Sequence, residues 1–153
     1  MIGNPTIEAN SSGNNHSIRE FIFPQDYQGV RLLWEATGPG IHLRRSDEPE
    51  EILKKIQRDP DLFLVAESDG MIIGSVLGGF DGRRGMMYHL AVDQSFRKVG
   101  VASKLVDELE KRLKSKGCIR YYLLVTMDNI EAINFYEKRG WERMPLYAYG
   151  KDL

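Results

Sequence analysis

Cysteine is nearly absent. Cys118 is the only one in 153 residues, so no internal disulfide can form. It follows Gly117 just before an expected strand, where a small buried hydrophobe is the default reading. A nucleophile is the lesser reading, because no histidine is obviously placed beside it. Histidine is also scarce. His16, His42 and His89 are dispersed with no metal-ligand spacing, so no metal is expected. No apolar run approaches the ~20 residues of a transmembrane helix, and the N-terminus has no signal-peptide core, so no membrane partner is expected. Charge of one sign is missing too: 21 basic residues face 22 acidic ones, for a net charge of −1. Local basic clusters have acids interleaved, which argues against nucleic acid as a partner. These absences together point to a soluble, reducing, cytoplasmic setting.

What is present suits one domain. The length favours a single unit, and 42% hydrophobic residues can build one sizeable core. Met1 to Ser17, rich in Asn, Ser and Gly, is expected to be a disordered leader, with one domain over 18–153. Ile18 to Phe23 alternates as a strand. Pro24 opens a helix that runs to about Thr37, where Gly38-Pro39-Gly40 ends it. Ser46 or Asp47 can cap a second helix, stopped by Asp59-Pro60. Leu62 to Ala66 is a continuous apolar run, hence a strand covered on both faces. Asp69-Gly70 turns it into Met71 to Phe80, and Asp81-Gly82 turns that into Met86 to Val92, an antiparallel meander.

Tyr88 to Lys116 is the stretch around which the rest is arranged. It reads as a buried strand, a polar turn and a long helix from about Gly100 to Lys116, with Val101, Leu105, Leu109 and Leu113 four apart. The start of that helix suits phosphate: its first N–H groups have no intrahelical partner, and the helix dipole is positive there. Arg97 and Lys98 add charge, while Gly100 and Ala102 leave room. Tyr121 to Thr126 is then a strand. Because it follows a helical crossover, it should lie parallel to Met86 to Val92. Asp128 or Asn129 caps a last helix ending near Gly140, and Trp141 to about Tyr149 is expected as a final strand.

Two motifs at this spacing resemble the GCN5-related N-acetyltransferases (GNAT). Arg97-Lys98-Val99-Gly100-Val101-Ala102 is similar to that family's Arg/Gln-x-x-Gly-x-Gly/Ala loop. Asn129, Ala132, Phe135, Tyr136, Glu137, Lys138 and Gly140 match its Asn-x-x-Ala-x-x-Phe-Tyr-Glu-Lys-x-Gly helix. The span from Leu62 to Gly85 also looks like a small bacterial branch often called YpeA-like. The resemblance covers about Ile18 to Tyr149. It implies an α+β fold: a mixed, mostly antiparallel sheet with one parallel, splayed strand pair, helices on both faces, and acyl-CoA in the gap.

The resemblance also implies roles. Leu90, Ala91 and Val92 would offer backbone groups to the pantetheine arm of acetyl-CoA. Arg97, Lys98, Val99, Gly100, Val101 and Ala102, with Ser103 nearby, would hold the pyrophosphate. Asn129 would hydrogen-bond the cofactor arm. Tyr136 matches the tyrosine that protonates the departing thiolate after a primary amine attacks the thioester to give a tetrahedral intermediate; otherwise it only packs. The general base is less legible. The glutamate that related ribosomal-protein acetyltransferases carry five residues before the Asn is here Leu124. His89 or Tyr88 faces the substrate side by strand alternation, and His89 acts as base or packs structurally. Glu67 is a weaker candidate, and the Arg83-Arg84 pair either attracts anions or is merely exposed. The acceptor is a small-molecule or protein amine, and a homodimer is frequent in the family. A non-catalytic acyl-CoA-binding sensor is the alternative.

Overall fold

The computed structural model describes residues 15–38 and 40–153. Most of the leader expected over 1–17, and Pro39 of the expected helix stop, lie outside the described residues. The elements are β1 (Ser17–Glu20), α1 (Tyr27–Ala36), α2 (Pro49–Arg58), β2 (Phe63–Ser68), β3 (Met71–Phe80), β4 (Gly85–Val92), α3 (Val101–Ser115), β5 (Tyr121–Leu123) and α4 (Ile130–Lys138). Short 3-10 turns at Arg45–Asp47 and Gln94–Phe96 precede α2 and α3.

The strands form one sheet in the order β1-β2-β3-β4-β5. The first four run antiparallel, as hairpin turns dictate for the meander. β5 lies parallel to β4, as the α3 crossover requires. Helices cover both faces, which is why β2 is apolar without alternation. Its Leu64 and Ala66 pack with Leu105, Val106, Leu109 and Leu113 of α3. Phe63 and Val65 point the other way, toward Val30, Leu33 and Trp34 of α1 and Ile52 of α2. Burying each of these leucines contributes about 1.5–3 kcal/mol. The Trp34 ring stacks on Phe63 at 5.9 Å, and its indole N–H donates to Ser75 Oγ at 3.0 Å, so this buried donor is satisfied.

A β-bulge in β4 shapes everything downstream. Ser75 pairs with Ala91 and Leu77 with Tyr88, so His89 and Leu90 together oppose Val76. His89 takes the left-handed φ of 46°, uncommon for a residue with a Cβ. Gly85 donates its N–H to Arg120 O on the β5 side at 3.1 Å, whereas Asp93 donates to Ile73 O on the β3 side at 2.7 Å. Both residues are odd-numbered, and strict alternation would point both N–H groups the same way. The extra residue at the bulge reverses the phase.

Several expectations fail here. β1 ends at Glu20 rather than Phe23, and Pro24 lies in the turn before α1, which begins at Tyr27 with Asp26 as its N-cap. β5 stops at Leu123 rather than Thr126: pairing ends at Met87 with Leu123, just where β4 bends at its bulge and the strands part. No strand forms over Trp141 to Tyr149. Pro145 has no N–H to give to a ladder, and Leu146 N–H folds back on Met144 O at 3.0 Å. The cap of α2 also differs. Glu48 is its N-cap, and Asp47 turns its carboxylate back to the Arg44 N–H at 2.9 Å.

Candidate active site

Where β4 and β5 diverge, a narrow cleft of about 70 Å³ opens. Its walls come from β4 (Tyr88, His89, Leu90), from the chain after β5 (Leu124, Val125) and from α4 (Ala132, Tyr136). Asn129 and, beside it, Thr37, Gly40 and Ile41 of the α1–α2 loop complete the lining. After the bulge, the N–H and C=O groups of Leu90 and Val92 turn toward the β5 side, where no strand remains to receive them. Ala91 is different: it pairs with Ser75 of β3, and its side chain is buried beside α1. Of the three β4 residues singled out by sequence, Leu90 lines the cleft, whereas Val92 lies beyond it with its carbonyl accepting from Arg97 Nε, and Ala91 faces away.

Alternation had suggested that only one of Tyr88 and His89 faces this side. The bulge brings both to the α1–α2 face. The Tyr88 ring lies over Gly79 near Lys55, and the His89 ring meets Trp34 edge-on at 4.8 Å. His89 Nε2 lies 2.8 Å from Asp47 Oδ1. Asp47 is 4% exposed, and the Tyr27 hydroxyl donates to its backbone carbonyl at 2.9 Å. Burial pushes the Asp47 carboxyl up, but hydrogen bonds from His89 and the Arg44 N–H, with nearby positive charge, prevail and hold it below its usual 3.8. An ionised carboxylate can only accept. Nε2 is therefore the donor to Asp47, which leaves Nδ1 as the ring nitrogen available to another partner. Sequence reasoning missed Asp47, which sits 42 residues from its partner with no local pattern to link them.

Tyr136 sits half-buried on α4, with its ring edge-on to Phe135 at 5.3 Å and to Trp141 at 5.8 Å. Burial pushes its phenol up to about 12, so it holds its proton at neutral pH. Asn129 is the N-cap of α4: its side-chain oxygen accepts from Ala132 N–H at 3.2 Å. The amide NH₂ is left to face outward, beside Gly40. A Cβ at Gly40 would stand 2.5 Å from Asn129 Nδ2, so a larger residue there would push the Asn129 amide out of its present position.

The second part of the site is the turn into α3. Gly100 is left-handed (φ 88°, ψ 6°) and Lys98 has φ 64°. Alternation of this kind forms anion-binding nests. From Lys98 to Ser103, no backbone N–H finds a backbone acceptor among the described residues. Arg97 does not point freely into solvent. Its Nε donates to Val92 O at 3.4 Å and its Nη1 lies 3.6 Å from Glu131, tying the end of β4 to α4. Other candidates fall away from the cleft: Glu67 is held by Arg19 at 2.6 Å, and Cys118 is a buried core residue. Among the described residues, no group of metal-binding side chains occurs and no helix is long and apolar enough to cross a membrane.

A splayed parallel pair, a bulged strand beside it and an amide-rich helix start define an acyl-transfer fold, and comparison with known proteins agrees. The family model described as "Acetyltransferase (GNAT) family" matches residues 27–141. An acetyltransferase of Pectobacterium atrosepticum is 45% identical over 134 residues, spanning 86% of this chain and 93% of that protein. Among solved structures, Ard1 from Thermoplasma volcanium is similar with a TM-score of 0.72 at 28% identity, over 82% of this chain and 81% of that one. PaiA N-acetyltransferase from Thermoplasma acidophilum, solved in complex with coenzyme A, has a TM-score of 0.75 at 23% identity, over 86% and 92%. The chain belongs to the acetyltransferase (GNAT) family. It is an enzyme of the acyltransferase class with the α+β fold expected from its two motifs.

Proposed function

We propose that this enzyme transfers the acetyl group of acetyl-CoA to a primary amine by direct attack. The N–H groups from Lys98 to Ser103 hold the pyrophosphate at the positive end of α3. The backbone groups of Leu90 and the N–H of Val92, which face no strand, bind the pantetheine arm as an added strand would, and the Asn129 NH₂ donates to it. At the bulge, a backbone N–H directed into the cleft stabilises the oxyanion that forms when the amine nitrogen attacks the thioester carbon. The C–S bond then breaks. Tyr136 gives its proton to the leaving sulfur, and His89, oriented by Asp47, takes the proton lost by the amine, directly or through water.

The cleft carries this reading. β4 loses its neighbour at the point where it gains an extra residue, and Tyr136, His89 and Asn129 all line the gap. The test is turnover of acetyl-CoA with a panel of amines, comparing wild type with Tyr136→Phe. The variant should bind acetyl-CoA normally and lose roughly 10²-fold or more in kcat, the usual size of general-acid assistance. Equal turnover would remove Tyr136 from the chemistry. Binding without turnover of any amine would favour a sensor.

A further inference from the structure

A second, larger cavity of about 490 Å³ lies on the α1–α2 face, between α2 and the β3–β4 hairpin. Tyr88 lines both this cavity and the β4–β5 cleft, so the two adjoin at that residue. We propose that this cavity receives the acceptor, and that it selects primary amines bearing a carboxylate or phosphate at the end remote from the amine. The proposal rests on the acetyl-transfer reading above.

Charge at the far end supports it. Lys55, Arg58 and Arg84 line the cavity, against Asp59 and Asp81. Both carboxylates are already engaged. Asp59 takes the Lys55 ammonium at 2.5 Å. Asp81 Oδ1 accepts the N–H groups of Arg83 and Arg84 at 2.8 and 2.7 Å, which closes the hairpin turn. Arg84 has no carboxylate partner among the described residues; its guanidinium instead lies 5.4 Å above the Tyr122 ring. A planar cation resting on an aromatic wall, with its donors uncommitted, is well suited to grip a carboxylate or phosphate. Arg83 beside it does not line the cavity.

Size narrows the class further. A volume of this order fits a small molecule rather than a protein segment. From Arg84 to Tyr88 the strand advances about 13 Å, so the anion and the amine are separated by several bonds. An amine bound this way points its nitrogen past Tyr88 toward His89 and the acyl group.

The test compares acceptors that differ only at the remote end. ω-Amino carboxylates and ω-aminoalkyl phosphates of increasing length are each assayed against the alkylamine of the same length, with acetyl-CoA saturating. The anionic member should be preferred about tenfold in kcat/KM, most strongly at a length of several methylenes, and the preference should weaken with salt. The carboxylate and phosphate arms show which anion is favoured. Arg84→Gln should bring the anionic-to-neutral ratio close to one through KM, and Arg83→Gln should leave that ratio as in wild type. If neutral and anionic amines are used alike, or if Arg84→Gln leaves the preference intact, the acceptor assignment is overturned while acetyl transfer stands. If acetyl-CoA binds but no amine of either kind turns over, the acetyl-transfer reading itself fails, and this proposal falls with it.

Discussion

Single residues divide the work of the cleft by protonation. Tyr136 is a neutral phenol whose burial pushes its pKa further up, to about 12, and so it has a proton to donate. Asp47 is kept ionised, and so can only orient. Replacing Asp47 with Asn leaves the shape but removes the charge that fixes the His89 tautomer. Asp47→Asn should lower kcat at least tenfold with acetyl-CoA affinity unchanged, as steady-state kinetics and calorimetry would report. The same carboxylate has a stability signature. Its pKa is depressed in the folded state, so its contribution is complete above the ordinary value of 3.8 and is lost as pH falls through the lower folded value. The variant should therefore melt below wild type at neutral pH, and the gap should close in acid below that value. A gap that stays constant down to pH 2 would show that Asp47 is not held ionised by the fold.

At the scale of elements, the bulge in β4 and the early end of β5 make the site, and neither was legible in the sequence. No glycine or proline marks His89 as a bulge; it is read only from the slip in register between β3 and β4. β5 looked longer because Tyr121 to Thr126 is uniformly strand-forming, but propensity yields where no neighbour remains to pair. Trp141 to Tyr149 failed for a related reason, with Pro145 in the run. The helices were easier. Asn129 capping α4, Pro49 opening α2 and the stripe along α3 are local signals, and each was found where expected. One tertiary tie was not foreseeable. Asp26, 8% exposed, accepts from Arg19 at 2.6 and 3.0 Å and from Ile22 N–H at 2.7 Å, and Arg19 also holds Glu67. This joins β1 and β2 to the start of α1. Asp26→Asn should cost about 1–3 kcal/mol in urea unfolding with the slope unchanged. A loss under 0.5 kcal/mol would mean the tie is ornamental.

Across the whole molecule, the order of elements carried the fold. A meander, a crossover helix and a parallel return can close only as one mixed sheet with helices on both faces, and that is the sheet observed. The left-handed turn into α3, to which the proposal assigns the pyrophosphate, was also legible, because Gly100 marks it. The histidine–aspartate pair and the α1–α2 loop were not, because they depend on residues brought together from distant parts of the chain. The central claim is that acetyl-CoA binds with its pyrophosphate on the amides from Lys98 to Ser103. Gly100 is exposed, with nothing within 4 Å of an added Cβ, but its positive φ strains most side chains. Asn tolerates that conformation and Glu adds a negative charge, so the two variants separate strain from charge. The decisive measurement is calorimetric titration of acetyl-CoA onto wild type, Gly100→Asn and Gly100→Glu, each first shown to be folded. The account predicts binding to wild type, affinity within about tenfold for Gly100→Asn, and no detectable binding for Gly100→Glu; wild-type affinity in Gly100→Glu would contradict it.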